Sequence, residues 1–209
     1  SLGTATNDSR FYYFNITTGN TLQVSNAIAV PTGATGKLVL TGGGTLLLQG
    51  STAPTRGFGD LYVTGGTAQL NMSGIQAMTG KLIMSSTGTI TYLQSNQVAT
   101  NSVYRLDDTS SIDLNGNNQT IGSISFNNST HASDAGTVEL HGGTLTLSSA
   151  TPITTNASSD TATLSGNGPS SSTLQLSAST ATLTVNDGSA AMDLDISAKI
   201  GGSAVIKSG

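Results

Sequence analysis

The sequence contains no cysteine and no tryptophan, only four prolines, and charged residues at just 9% of its 209 positions. Without cysteine it can form no disulfide, no thiolate zinc site and no cysteine nucleophile. Its seven Lys and Arg are dispersed along an acidic chain (net charge −4, sequence pI near 4.7), which argues against nucleic acid as a partner. No apolar run reaches the ~18 residues of a membrane helix, so no membrane insertion by this segment is expected. No signal-peptide pattern is visible, and the start at Ser1 without Met reads as a processed N-terminus.

What fills the chain instead is Gly, Ser, Thr and Asn. Gly loses backbone entropy in a helix, and Ser, Thr and Asn compete for its backbone hydrogen bonds. The same residues suit short strands joined by turns. Disorder is the other reading of such a composition. Low net charge and apolar residues gathered in alternating clusters oppose it.

The clusters repeat. Leu38-Val39-Leu40 leads through Gly42-Gly43-Gly44 to Leu46-Leu47-Leu48, and Leu61-Tyr62-Val63 leads through Gly65-Gly66 to Leu70-Asn71-Met72. Leu82-Ile83-Met84 leads to Ile90, Ile112-Asp113-Leu114 to Ile121, and Val138-Glu139-Leu140 to Leu145-Thr146-Leu147. First triplets start at Leu38, Leu61 and Leu82, and second triplets at Leu46, Leu70 and Ile90. Both series step by about 20 to 24 residues, in the range of solenoid repeats. Each triplet sends two side chains inward and one outward. Strands of a hairpin meander would pair across each glycine turn; strands of a solenoid pair with their equivalents one coil away. The common step favours an all-β, parallel β-solenoid of roughly nine coils, on the order of 45 Å long.

Residues 1–35 are expected to form an N-terminal cap or first coil, and residues 36–150 the regular coils. Residues 151–209 are expected to be looser coils that continue beyond Gly209, with Thr151 to Ser172 read as lateral loops and a weak coil.

Three segments carry a family resemblance. Ile112-Asp113-Leu114-Asn115-Gly116-Asn117-Asn118-Gln119-Thr120-Ile121-Gly122-Ser123-Ile124 is the most specific. Gly142 to Leu147 (GGTLTL) and Ile196 to Gly209 (ISAKIGGSAVIKSG) are shorter and glycine-rich. Together they resemble the autotransporter-associated β-strand repeats of bacterial autotransporter passengers, over residues 36 to 209. The resemblance implies a right-handed parallel β-helix exported across the outer membrane. It implies no single activity, since such passengers include adhesins, enzymes and plain stalks. The C-terminal membrane barrel of that family has no counterpart here.

Polysaccharide-cleaving β-helices need carboxylates converging from neighbouring coils. The candidates are Asp107, Asp108, Asp113 and Glu139, with Arg105 nearby in sequence, and Asp193 and Asp195. Asp113 and Glu139 occupy triplet centres and are expected to face outward and, where the coils align, to lie on one face near Arg105. Solvated strand positions are the reading taken for all of them, with no catalytic residue, cofactor or metal expected. Asp193 and Asp195 are too few for calcium, and the repeat of calcium-binding β-rolls is absent. His131 and His141 show no metal-ligand spacing, and His141 reads as a turn residue before Gly142-Gly143. No nucleophile elbow accompanies the many serines. Sequons at Asn15, Asn71 and Asn156 are expected by chance in this composition, and Arg56-Gly57-Phe58-Gly59-Asp60 is an interrupted RGD.

Phe11-Tyr12-Tyr13-Phe14 holds four of the nine aromatic residues. It reads either as a contact surface or as a cap over the end of the core. The function expected is a non-catalytic, extracellular structural or adhesive passenger on a bacterial cell surface, with host-surface or carbohydrate ligands. A self-assembling fibre subunit stacking head to tail is the alternative, and a carbohydrate-active enzyme the second.

Overall fold

A computed structural model describes residues 11–25, 28, 36–51, 58–126, 135–168 and 171–209. Every regular element among them is a β-strand. In chain order these are β1 (Phe11–Asn15), β2 (Thr21–Val24), β3 (Lys37–Thr41), β4 (Thr45–Gly50), β5 (Asp60–Val63), β6 (Thr67–Met72), β7 (Leu82–Met84), β8 (Thr89–Tyr92), β9 (Val103–Leu106) and β10 (Ser111–Asp113). They continue as β11 (Gln119–Ile121), β12 (Ser123–Phe126), β13 (Thr137–Glu139), β14 (Thr144–Leu147), β15 (Ile153–Thr155), β16 (Ala162–Ser165), β17 (Thr173–Val185), β18 (Leu194–Ile196) and β19 (Lys199–Ser208).

No strand pairs with its neighbour in sequence across a tight turn. Each pairs in parallel with its equivalent one coil away. One face stacks β1, β3, β5, β7, β9, β12, β15 and the end of β17; a second stacks β2, β4, β6, β8, β10, β13, β16 and β18. A third face grows in the later coils from β11, β14 and the starts of β17 and β19. The long strands β17 and β19 turn the corner from the third face to the first, with a register shift between Leu176 and Thr180.

The core follows from this register. On the first face Tyr12, Leu38, Leu61, Leu82, Tyr104, Ile124, Ile153 and Leu183 form one inward column. On the second, Leu22, Leu46, Ala68, Ile90, Ile112, Val138, Leu164 and Ile196 form another. Leu38 through Leu164 in these columns are nearly all solvent-free. Each buried aliphatic side chain contributes about 1.5–3 kcal/mol, and stacking closes a core that one coil alone leaves open. Outward beside the second column runs a ladder of small hydroxyls: Thr21, Thr45, Thr67, Thr89, Ser111, Thr137 and Thr163.

The structure departs from the sequence reading in two places, the number of turns and the register of the second series. Eight stacked strands on the second face make about seven turns, not nine. The coil is the reason. Thr45, Thr67, Thr89 and Ser111 are spaced by 22 positions, but Thr137 follows Ser111 by 26 and Asp195 follows Thr163 by 32. Leu70 is not the equivalent of Leu46; Ala68 is, and Leu70 lies beside Leu48 and Tyr92. Thr151 to Ser172 includes β15 and β16, which extend both faces through buried Ile153, Ala162 and Leu164. Its poverty in apolar residues reflects the one or two inward apolar side chains that each of these short strands supplies.

Candidate functional site

Asp113 and Glu139 are register partners on β10 and β13, between buried Ile112 and Leu114 and buried Val138 and Leu140. Inward neighbours on both sides force both carboxylates outward, as the triplet pattern implied. Their column on the outer face otherwise holds Gln23, Leu47, Gln69, Thr91 and Ser165. Like charges directly opposite across a ladder destabilise the pair.

His141 supplies the compensation. The turns after the two strands are equivalent: Asn117 N–H donates to Leu114 O at 2.7 Å, and Gly143 N–H donates to Leu140 O at 2.8 Å. Asn115 (φ 48°) and Gly116 (φ 76°) fill the first turn, and His141 (φ 46°) and Gly142 (φ 93°) the second. Asn and His are among the few side chains that tolerate this left-handed backbone. From there the imidazole lies over the preceding coil. Its Nδ1–H donates to Asp113 Oδ1 at 2.7 Å, and its Nε2 stands 4.0 Å from Glu139 Oε2. The donor is assigned to the ring because an ionised carboxylate only accepts. Asp113 Oδ1 also accepts Asn115 N–H at 2.6 Å. The hydrogen bond to Asp113 holds His141 above its ordinary 6.5; partial burial works against this, and the charges of Asp113 and Glu139 add to it. One ligand-type atom from each of the three residues lies within 4.8 Å of the others. Among the described residues this is the one grouping of three or more His and carboxylate side chains close enough to hold an ion.

Arg105 does not join the pair. It stands on β9, in the first face, and its guanidinium binds Asp107 at 2.8 Å. Asp108, at φ 56° in a turn, accepts Ser86 N–H at 2.8 Å. Asp193 precedes β18 and accepts Gly188 N–H at 2.9 Å, whereas Asp195 pairs with Thr163. His131, Arg56 and Gly57 lie outside the described residues. A shallow depression lined by Ala157, Ser158, Ser159, Gly188 and Ser189 contains no titratable side chain.

The aromatic run divides by strand alternation. Tyr12 and Phe14 pack against the core, while Phe11 and Tyr13 are 45% and 69% exposed. The outward rings gain a partner that the sequence reading missed, Tyr62 on β5, two strands away. Phe11 lies 6.1 Å from Tyr13 and 5.8 Å from Tyr62, centroid to centroid. The Lys37 ammonium sits 5.1 Å from the Phe11 ring and 6.0 Å from Tyr62. The signal was the parallel register itself, which places Tyr13 beside Val39 and Val39 beside Tyr62.

Comparison of the chain with family models, with curated proteins and with solved structures finds no match.

Proposed function

We propose that this chain is a non-catalytic, extracellular structural or adhesive segment, wound right-handed, of a bacterial surface protein of the autotransporter-associated β-strand repeat kind. The segment Ile112 to Ile124 supports the family part of the reading. Right-handed winding accords with the strong general preference of parallel crossovers.

The observation that carries the adhesive part is the outward patch of Phe11, Tyr13 and Tyr62 with Lys37 at its edge. In a chain with nine rings, three on one strand face form a rigid, amphipathic contact area. Rings with exposed faces stack on sugar rings, and Lys37 adds a donor for hydroxyl or carboxylate groups. A carbohydrate of the host or cell surface is therefore the ligand class proposed. The non-catalytic part rests on the setting of Asp113 and Glu139, which project from an outer strand face rather than into a cleft.

The test is binding of the intact chain to an array of neutral and acidic glycans. Retention by wild type and at least tenfold loss in Phe11→Ala/Tyr13→Ala supports the reading. Equal retention by the double variant removes it. Turnover of any polysaccharide that is lost in Asp113→Asn/Glu139→Gln would establish an enzyme instead. Filaments in electron micrographs of the purified chain would favour the fibre subunit.

A further inference from the structure

The grouping of Asp113, Glu139 and His141 has a use beyond adhesion. Two carboxylates face each other across one ladder step, and His141 is the only cationic group among the described residues within ion-pair distance of either. A neutral imidazole leaves that repulsion uncompensated. With Nδ1–H engaged by Asp113, the lone pair of the ring is on Nε2, and Nε2 faces Glu139 Oε2 across 4.0 Å.

That gap has the dimension of a metal bridge. Zinc–nitrogen and zinc–carboxylate bonds of about 2.0–2.2 Å each span about 4.1 Å end to end and about 3.4 Å at a tetrahedral angle. Rotation of the partly exposed Glu139 side chain covers the difference. The arrangement is that of a metal-binding histidine whose second nitrogen is held by a carboxylate, which fixes the tautomer and makes the ligand more basic. Imidazole beside carboxylate suits zinc and its neighbours in the transition series rather than calcium or magnesium.

We propose that His141 Nε2 and the Glu139 carboxylate bind a divalent transition ion of the zinc class, with Asp113 of the preceding coil as the positioning residue. Solvent completes the coordination. The ion neutralises the Asp113–Glu139 pair and fastens the turn at His141 to its own strand β13, while the Asp113 hydrogen bond ties that turn to the coil before it. This site is independent of the aromatic patch on the other face, so its failure leaves the adhesive reading untouched.

The experiment is a titration of the intact chain with zinc chloride in a non-coordinating buffer, followed by calorimetry and by proton NMR of the two histidine rings. His131→Asn assigns the two sets of ring signals. One saturable site that shifts or broadens the His141 ring, and not His131, is the expected result. His141→Asn, which places at the turn the residue found at position 115, abolishes that site, and Glu139→Gln weakens it at least tenfold. Asp113→Asn weakens it about 10–100-fold and changes the tautomer balance read from ring nitrogen shifts. Far-UV circular dichroism shows that each variant retains its strands. The proposal is overturned if wild type shows no saturable binding up to millimolar zinc. It is equally overturned if binding persists in His141→Asn, which would mean an adventitious ion only. Should any variant unfold, the wild-type ring signals decide alone, since zinc that leaves them unmoved is bound elsewhere or not at all.

Discussion

The buried carboxamide of Gln119 reaches back one coil and accepts the backbone N–H of Gln97 at 2.8 Å. Gln97 does the same to the coil before it. Gln97 Oε1 accepts Met72 N–H at 2.7 Å and its Nε2 donates to Met72 O at 2.8 Å; Gln119 Nε2 donates to Val98 O and Thr120 O. Each side chain thus acts as an extra peptide unit at a corner where the strands do not continue the ladder. Both glutamines are essentially solvent-free. Gln97→Leu keeps the volume and removes both partners of Met72, each unsatisfied group costing about 1–3 kcal/mol. The expected result is a lower urea midpoint and faster amide exchange at Met72. An unchanged exchange rate there would contradict the role.

A second buried polar contact joins opposite walls of the core. The hydroxyls of Tyr92 on β8 and Tyr104 on β9 hydrogen-bond to each other, and both residues have no solvent exposure. Either Tyr→Phe change strands one hydroxyl, at about 1–3 kcal/mol, while Tyr92→Phe/Tyr104→Phe removes both and is expected to cost less than either single change. Burial also pushes both hydroxyls well above the ordinary tyrosine value of 10. Their neutral form is favoured in the fold, so stability is complete below pH 10 and falls as pH rises beyond it. Ultraviolet titration should show the exposed tyrosines ionising near pH 10, with Tyr92 and Tyr104 following only at unfolding.

How much of this was legible beforehand depends on what each residue signals alone. Leu38, Leu61 and Leu82 announce their shared column because all are large and apolar. Ala68 does not: it is small, so the eye moves to Leu70, and the assigned register slips by two positions. Such an even slip preserves the inward face, which is why the solenoid remained readable although the register did not. The grouping of His141 with Asp113 was hidden for another reason. Glu139 and His141 are two apart, but Asp113 joins them only through a coil of 26 residues, when the three coils before it on that face have 22. Composition states that a strand exists; it does not state how much chain loops out between two strands.

The metal-free pH response of His141 follows from its partner. The Asp113 hydrogen bond favours the imidazolium and raises its pKa above 6.5. A base whose folded pKa is raised stabilises the fold fully below 6.5, and that contribution is lost as pH rises through the folded value. Chelator-treated protein should therefore show a His141 ring titrating above 6.5 by NMR. Asp113→Asn should bring it down more than Glu139→Gln does.

Close coil contact makes one glycine indispensable. A Cβ on Gly143 would stand 2.2 Å from the backbone oxygen of Asn117 in the preceding coil, which cannot move without shifting its own turn. Gly143→Ala is expected to cost about 1–3 kcal/mol, like other overpacking changes. Thr137→Ala, an outward change on the hydroxyl ladder of the same coil, should stay within about 0.5 kcal/mol. Paired denaturation curves distinguish them, and equal midpoints would show that the turn yields.

The one-coil register also governs how the chain reaches its fold. Every core strand finds its partner between 20 and 32 residues away, whether it stands in the second turn or the seventh. The loop that must close is therefore the same modest size at each step and does not grow with the total length. Ordering can begin at any coil and advance by accretion, each finished rung serving as the template on which the next is laid.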